Sequence, residues 1–223
     1  GEASVQTESP YTFALAEKAA SSDLSCFDPA AEEAMVQGIQ TAKEKGDTLG
    51  GTFEVMATGL MPGLGSHVHW DRRLDARMAA VLMSIPAIKA VEFGVGTQYA
   101  SLPGSEAHDE IFFTPEKGYF RKSNRAGGME GGMTNGEDVV VRATMKPIPT
   151  LMTPLASVDI RTQEPVPANS ERSDVCAVPA AAVVGEAMAA IVLAEALLEK
   201  FGGDTLAEIT AAVERYRERI DQP

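Results

Sequence analysis

Cysteine is scarce in this chain: of 223 residues only Cys26 and Cys176 are cysteines, far apart and outside any CxxC pair. A disulfide framework is therefore not expected, and a reducing, cytoplasmic setting is. Tryptophan occurs once and aromatics make up 6%, too few for a stacking platform along a single strand of nucleic acid. Positive charge is also short, 19 Lys and Arg against 32 Asp and Glu, for a formal net charge of −13. That mean field repels phosphate backbones and anionic lipid, so neither nucleic acid nor a membrane is an expected partner, although a local basic pocket for a small anion is allowed. No basic-then-apolar leader opens the sequence, so no secretory signal is expected. Gly1 is not an initiator Met, and the chain is expected to be processed or part of something longer.

What is there is the composition of a folded protein. Hydrophobic residues make up 44%, which excludes disorder, and the length suits one domain across residues 1–223. The stretch Ala177 to Leu198 is almost wholly apolar but carries Glu186 and Glu195. Each carboxylate in a bilayer core costs about 2.5–3.5 kcal/mol, so the stretch is predicted to be a buried central helix rather than a membrane span.

Local signals predict the other elements. Asp28-Pro29 and Gly46 frame an amphipathic helix whose apolar residues Ala31, Ala34, Met35, Ile39 and Ala42 recur at three and four. Gly50-Gly51 opens a strand from Thr52 to Thr58, helical spacing returns from Asp71 to Ile85, and strands are predicted at Ile88–Val95, Ile111–Thr114, Val139–Lys146 and Ala156–Ile160. A polar loop runs from there to Asp174. A capping box at Thr205 to Glu208 starts a last helix that reaches about Ile220. Strands not regularly separated by helices predict an α+β fold with antiparallel sheets.

Four polar segments are candidates for chemistry. In Gly65-Ser66-His67-Val68-His69-Trp70-Asp71, an extended backbone would put His67, His69 and Asp71 on one face as a metal triad, or a metal hydrolase centre. The simpler reading is a turn with Asp71 capping the next helix, and no metal is assigned; His108 stands in a loop without a motif. From Ser123 to Gly136 a glycine-rich loop, SNRAGGMEGGMTNG, can present N–H groups to an anion, with Arg121, Lys122 and Arg125 flanking it, or can be a plain surface loop. In Met145-Lys146-Pro147-Ile148-Pro149-Thr150 the two prolines stiffen a strand end and fix Lys146 relative to Thr150. In Glu171-Arg172-Ser173-Asp174-Val175-Cys176-Ala177-Val178-Pro179 an extended backbone points Arg172 and Asp174 the same way, and the guanidinium favours an ionised, proton-accepting carboxylate. The alternative there is a surface ion pair beside a helix start. Cys176 reads as packing rather than as a nucleophile.

Together with PGLGSHVHWDRRLDARMAAVLMSIPAIKAVEFG, these segments closely resemble the chorismate synthase family over nearly the whole chain. Met129 and Met133 stand where aliphatic residues are usual in the family, and Pro86 where many members carry Gln. The resemblance implies a β-α-β sandwich, helices between two antiparallel sheets, assembled as a homotetramer. It implies conversion of 5-enolpyruvylshikimate 3-phosphate to chorismate, a phosphate elimination in aromatic amino-acid synthesis. The family requires reduced FMN without net redox change, with NADPH as a candidate reductant. Carried over by motif, Arg172 would contact flavin and substrate, and Asp174 would help deprotonate flavin N5. Lys146, Pro147, Ile148, Pro149 and Thr150 would wall the FMN, with Gly131, Pro86 and Ala87 touching it. The family's catalytic histidines belong to a TAGESHG-like segment and a region before the first match, so the chain resembles the C-terminal part and is expected to be inactive alone. A non-catalytic flavin- or anion-binding module is the alternative.

Overall fold

The computed structural model describes residues 3–5 and 12–220. In order, its elements are helices α1 (Phe13–Ala20) and α2 (Pro29–Glu44), strand β1 (Gly51–Ala57), helix α3 (Leu74–Met83), strand β2 (Ile88–Phe93), a 3₁₀ turn (Gly96–Ser101) and helix α4 (Gly104–Ala107). Strands β3 (Ile111–Thr114), β4 (Gly118–Arg121), β5 (Met129–Glu130), β6 (Met133–Thr134), β7 (Val139–Met145), β8 (Ala156–Val158) and β9 (Pro165–Pro167) follow, then helices α5 (Val178–Phe201) and α6 (Leu206–Ile220). The fold is α+β. A three-stranded sheet has the order β1-β7-β2, and three hairpins, β3-β4, β5-β6 and β8-β9, are antiparallel.

The chain packs as two compact units. Of the described residues, the first comprises those within 1–53, 86–90 and 144–183, the second those within 54–85, 91–143 and 184–223. In the first, α2 forms as its sequence dictates. The Asp28 carboxylate accepts the N–H groups of Ala30 and Ala31 at 2.9 and 3.3 Å, and Pro29 gives up no needed donor. In the second, Leu64, Leu74, Met78, Leu82, Val139, Val141 and Val192 are all but sealed from solvent and form the core. Each such side chain contributes about 1.5–3 kcal/mol by leaving water. On the opposite face of β7, Arg142 bridges across the sheet to Glu54 of β1 and Glu92 of β2.

Four expectations change. Helix α3 begins at Leu74, not Asp71, because the N–H groups of Arg72 and Arg73 turn back onto the His69 carbonyl. Arg73 is the N-cap residue, and Asp71 caps nothing. The polar loop after β8 contains β9, which pairs with it. Helix α5 forms but is not buried all round: Ala181, Gly185, Ala189, Val192 and Ala196 make one narrow buried stripe, while Val183, Val184, Ile191 and Leu198 are exposed. It is 24 residues long, and an 18-residue window within it has a mean hydropathy of 2.0, enough, by length and composition only, to cross a membrane. An apolar helix is buried only where neighbours reach it, and the described residues reach it along that stripe.

Candidate functional site

In the first unit three sequence-predicted segments are tied to one another. Strand β7 ends at Met145, and Pro147 and Pro149 then leave Lys146 to Thr150 without ladder partners. This exposed piece is held at three points. The Lys146 N–H donates to the Ala87 carbonyl at 2.9 Å. The Thr48 hydroxyl donates to the Ile148 carbonyl at 2.6 Å, and the Ser173 hydroxyl to the Thr150 carbonyl at 3.0 Å. Pro86-Ala87, Lys146–Thr150 and the 171–176 segment therefore form one connected surface.

Two backbone features at this surface are costly. Ala87 has φ 68°, a left-handed conformation that a residue with a Cβ adopts at a cost of about 1–3 kcal/mol. Gly50 lies so close to the strand end that a Cβ would stand 2.4 Å from the Met145 carbonyl oxygen and 2.9 Å from Pro147. Only glycine permits that approach. Leu49 completes the tie, its N–H donating to the Val175 carbonyl at 2.8 Å.

Beside this surface a groove of about 390 Å³ is lined by Ile39, Lys43, Arg172, Ser173, Asp174, Val175 and Cys176. That volume lies within the roughly 300–1,000 Å³ of small-molecule sites. Arg172 and Asp174 both line the groove, without forming an ion pair within 4 Å. Lys43, from the last turn of α2, supplies a second cation that sequence spacing does not reveal. Thr48 and Ser173 escape sequence reasoning too, because their partners lie 100 and 23 residues away. Cys176 is half-buried in the groove, and both cysteines are free thiols.

Gly131 belongs to the second unit. With Gly132 it makes the two-residue turn of the β5-β6 hairpin, both at positive φ (61° and 85°) as a type I′ turn requires. Nothing lies within 4 Å of where a Gly131 Cβ would stand, so the turn is open on that side. The start of the glycine loop is fixed by Asp109. Its side chain, 1% exposed, accepts the Ser123 hydroxyl at 2.5 Å and the N–H groups of Arg125 and Ala126, each at 2.9 Å. Burial opposes ionisation of Asp109, but these donors outweigh it and hold the carboxyl below its ordinary value.

The three bases flanking that loop do not form an anion site. The Arg121 guanidinium pairs with Glu130 and donates to the Asn135 carbonyl, and Lys122 lies 3.9 Å from the centre of the Phe112 ring. Arg125 turns to Ser123 and Asp109. The metal triad is also absent, because residues 67–73 bend and turn instead of extending and His67 and His69 are exposed. Among the described residues no three His, Cys, Asp or Glu side chains gather as a metal site.

The chorismate synthase family model matches residues 3–198. A chorismate synthase of Thermus thermophilus is 56% identical over 220 residues, covering 99% of this chain and 57% of that protein. One from Desulforamulus reducens is 58% identical, covering 93% and 54%. A crystal structure of chorismate synthase superposes with a TM-score of 0.78 at 48% identity, covering 93% of this chain and 54% of that one. The chain thus spans little more than half the length of the relatives it matches. Its sequence motifs, fold and matched residues agree, and the chain belongs to the chorismate synthase family.

Proposed function

We propose that this chain carries one wall of the flavin pocket of a chorismate synthase, and that the complete enzyme converts 5-enolpyruvylshikimate 3-phosphate to chorismate and inorganic phosphate. The observation that carries this reading is the three-point tie of Lys146–Thr150 to Ala87, Thr48 and Ser173. It fixes an exposed, proline-stiffened strand end beside the groove of Arg172 and Asp174, and it spends backbone strain at Ala87 to do so.

The donor set fits FMN. Arg172 and Lys43 offer positive charge to a phosphate, Asp174 offers an acceptor, and the rings of Pro147 and Pro149 offer an apolar surface free of N–H donors. Reduced FMN, when bound, would lend an electron as phosphate leaves and would regain it as the substrate's C6 proton passes to N5, so that there is no net redox change. Arg172 can grip a phosphate or carboxylate through two parallel hydrogen bonds. Asp174 would help deprotonate flavin N5. Lys146 through Thr150 would orient the ring system and keep water from it. Pro86 and Ala87 close the same wall. NADPH is the proposed reductant, the proposed assembly is a homotetramer, and two free thiols suit a reducing cytoplasm.

The experiment joins this chain to the part of the Thermus thermophilus relative that it does not cover. Under anaerobic conditions with reduced FMN, the joined protein should release chorismate and phosphate in equal amounts, while this chain alone should give no turnover. Flavin binding by the joined protein without product would favour a non-catalytic module instead.

A further inference from the structure

Helices α5 and α6 frame an open cavity of about 430 Å³ whose lining has no part in the reading above: Lys200, Phe201, Ala212, Arg215, Tyr216 and Arg219. Three of these six side chains are cations. Among the described residues no carboxylate comes within 4 Å of any of them. Elsewhere Arg73, Arg77, Arg121, Arg125 and Arg142 take acids. Arg77 takes both Glu195 and Glu199, and Arg142 takes Glu54 and Glu92.

Two of the cations are also held in place. The Tyr216 hydroxyl donates to the Pro62 carbonyl at 2.9 Å, and its ring stands edge-on to Phe201 with centroids 5.5 Å apart. Against that fixed ring lie the Lys200 ammonium at 4.4 Å and the Arg219 guanidinium at 5.0 Å from the centroid. Lys200 and Arg219 sit in the last turns of their helices, where a cation offsets the helix dipole. Arg215 lies outside the last turn and one turn before Arg219, a like-charged spacing that weakens a helix. Dipole compensation therefore does not account for the trio.

We propose that this cavity binds a small polyanion bearing phosphate groups. Arg215 and Arg219 would supply the planar forks that match phosphate oxygens, and Lys200 a third charge from the facing helix. The site is independent of the Arg172 groove, with which it shares no residue.

The test is calorimetric titration of the purified protein with inorganic pyrophosphate at low salt. Wild type should bind. Arg215→Gln, Arg219→Gln and Lys200→Gln should each weaken binding about tenfold, the loss of one charge-assisted bond, and circular dichroism should show the helices retained. Arg161→Gln, at an exposed cation that lines neither cavity, should leave pyrophosphate affinity unchanged, and Arg172→Gln reports any pyrophosphate held by the other groove. Amide and ring shifts at Tyr216 on titration would further support the site. No binding by wild type, binding indifferent to all three Gln variants, or binding lost only in Arg172→Gln would overturn the proposal. The first two outcomes leave the flavin reading intact.

Discussion

Replacing Thr48 by valine would remove a single hydroxyl from the wall while keeping its shape. Thr48 is 7% exposed, and its hydroxyl reaches the Ile148 carbonyl at 2.6 Å. Valine fills the same space but leaves that partly buried carbonyl without its donor, at a cost of about 1–3 kcal/mol. For a domain of this size each kcal/mol lowers the melting temperature by about 2–4 °C. One of three ties on Lys146–Thr150 is then gone, and the segment must be ordered when flavin binds instead of beforehand. FMN affinity should fall by up to about tenfold, equivalent to roughly 1.4 kcal/mol. Anaerobic titration of the joined protein, followed by flavin fluorescence, measures this. Thr48→Ser keeps the hydroxyl and should restore both the melting temperature and the affinity. A Thr48→Val protein that melts lower yet binds FMN as wild type does would refute the argument, since the tie would then serve the scaffold alone.

Further outcomes concern the charged groups. Arg172→Lys keeps the charge but loses the planar fork, so FMN affinity or kcat/KM should fall about ten- to a hundredfold, from a charge-assisted bond of about 1.5–3 kcal/mol; wild-type values would show that charge alone suffices. Asp174→Asn should lower kcat with little change in FMN affinity, and equal losses in both would assign it a role in the loop only. Asp109 titrates below its ordinary 3.8 in the folded state. The stability it contributes is therefore complete above that value and is lost as pH falls through its lower, folded-state pKa. Asp109→Asn should melt well below wild type at pH 7, by about 1.5–3 kcal/mol, and the gap should narrow below about pH 3.8. A gap independent of pH would mean that the charge is not what holds the glycine loop.

The elements legible in the sequence are those fixed locally. Asp28-Pro29 caps α2, and Thr205 with Glu208 caps α6 through reciprocal hydrogen bonds at 3.3 and 3.0 Å, because a cap is decided within four residues. Strand β9 is hidden since Pro165 and Pro167 argue against a strand, and only its exposed pairing with β8 makes it one. The composition of α5 announces an apolar helix but not which side has neighbours. At the site, the motifs locate Lys146–Thr150, Arg172 and Asp174, whereas Thr48, Lys43 and Ser173 join them through long-range packing that no spacing rule encodes. Around the glycine loop the sequence leaves an anion site and a plain surface loop both open, and only the partners Glu130, Phe112 and Asp109 of Arg121, Lys122 and Arg125 favour the latter.

Amide hydrogen exchange of the joined protein, with and without reduced FMN, tests the flavin wall most directly. Slowed exchange is predicted at Ala87, at Lys146, Ile148 and Thr150, and from Arg172 to Cys176. Protection confined to other segments, or none at saturating FMN, would contradict the assignment of this surface to the flavin.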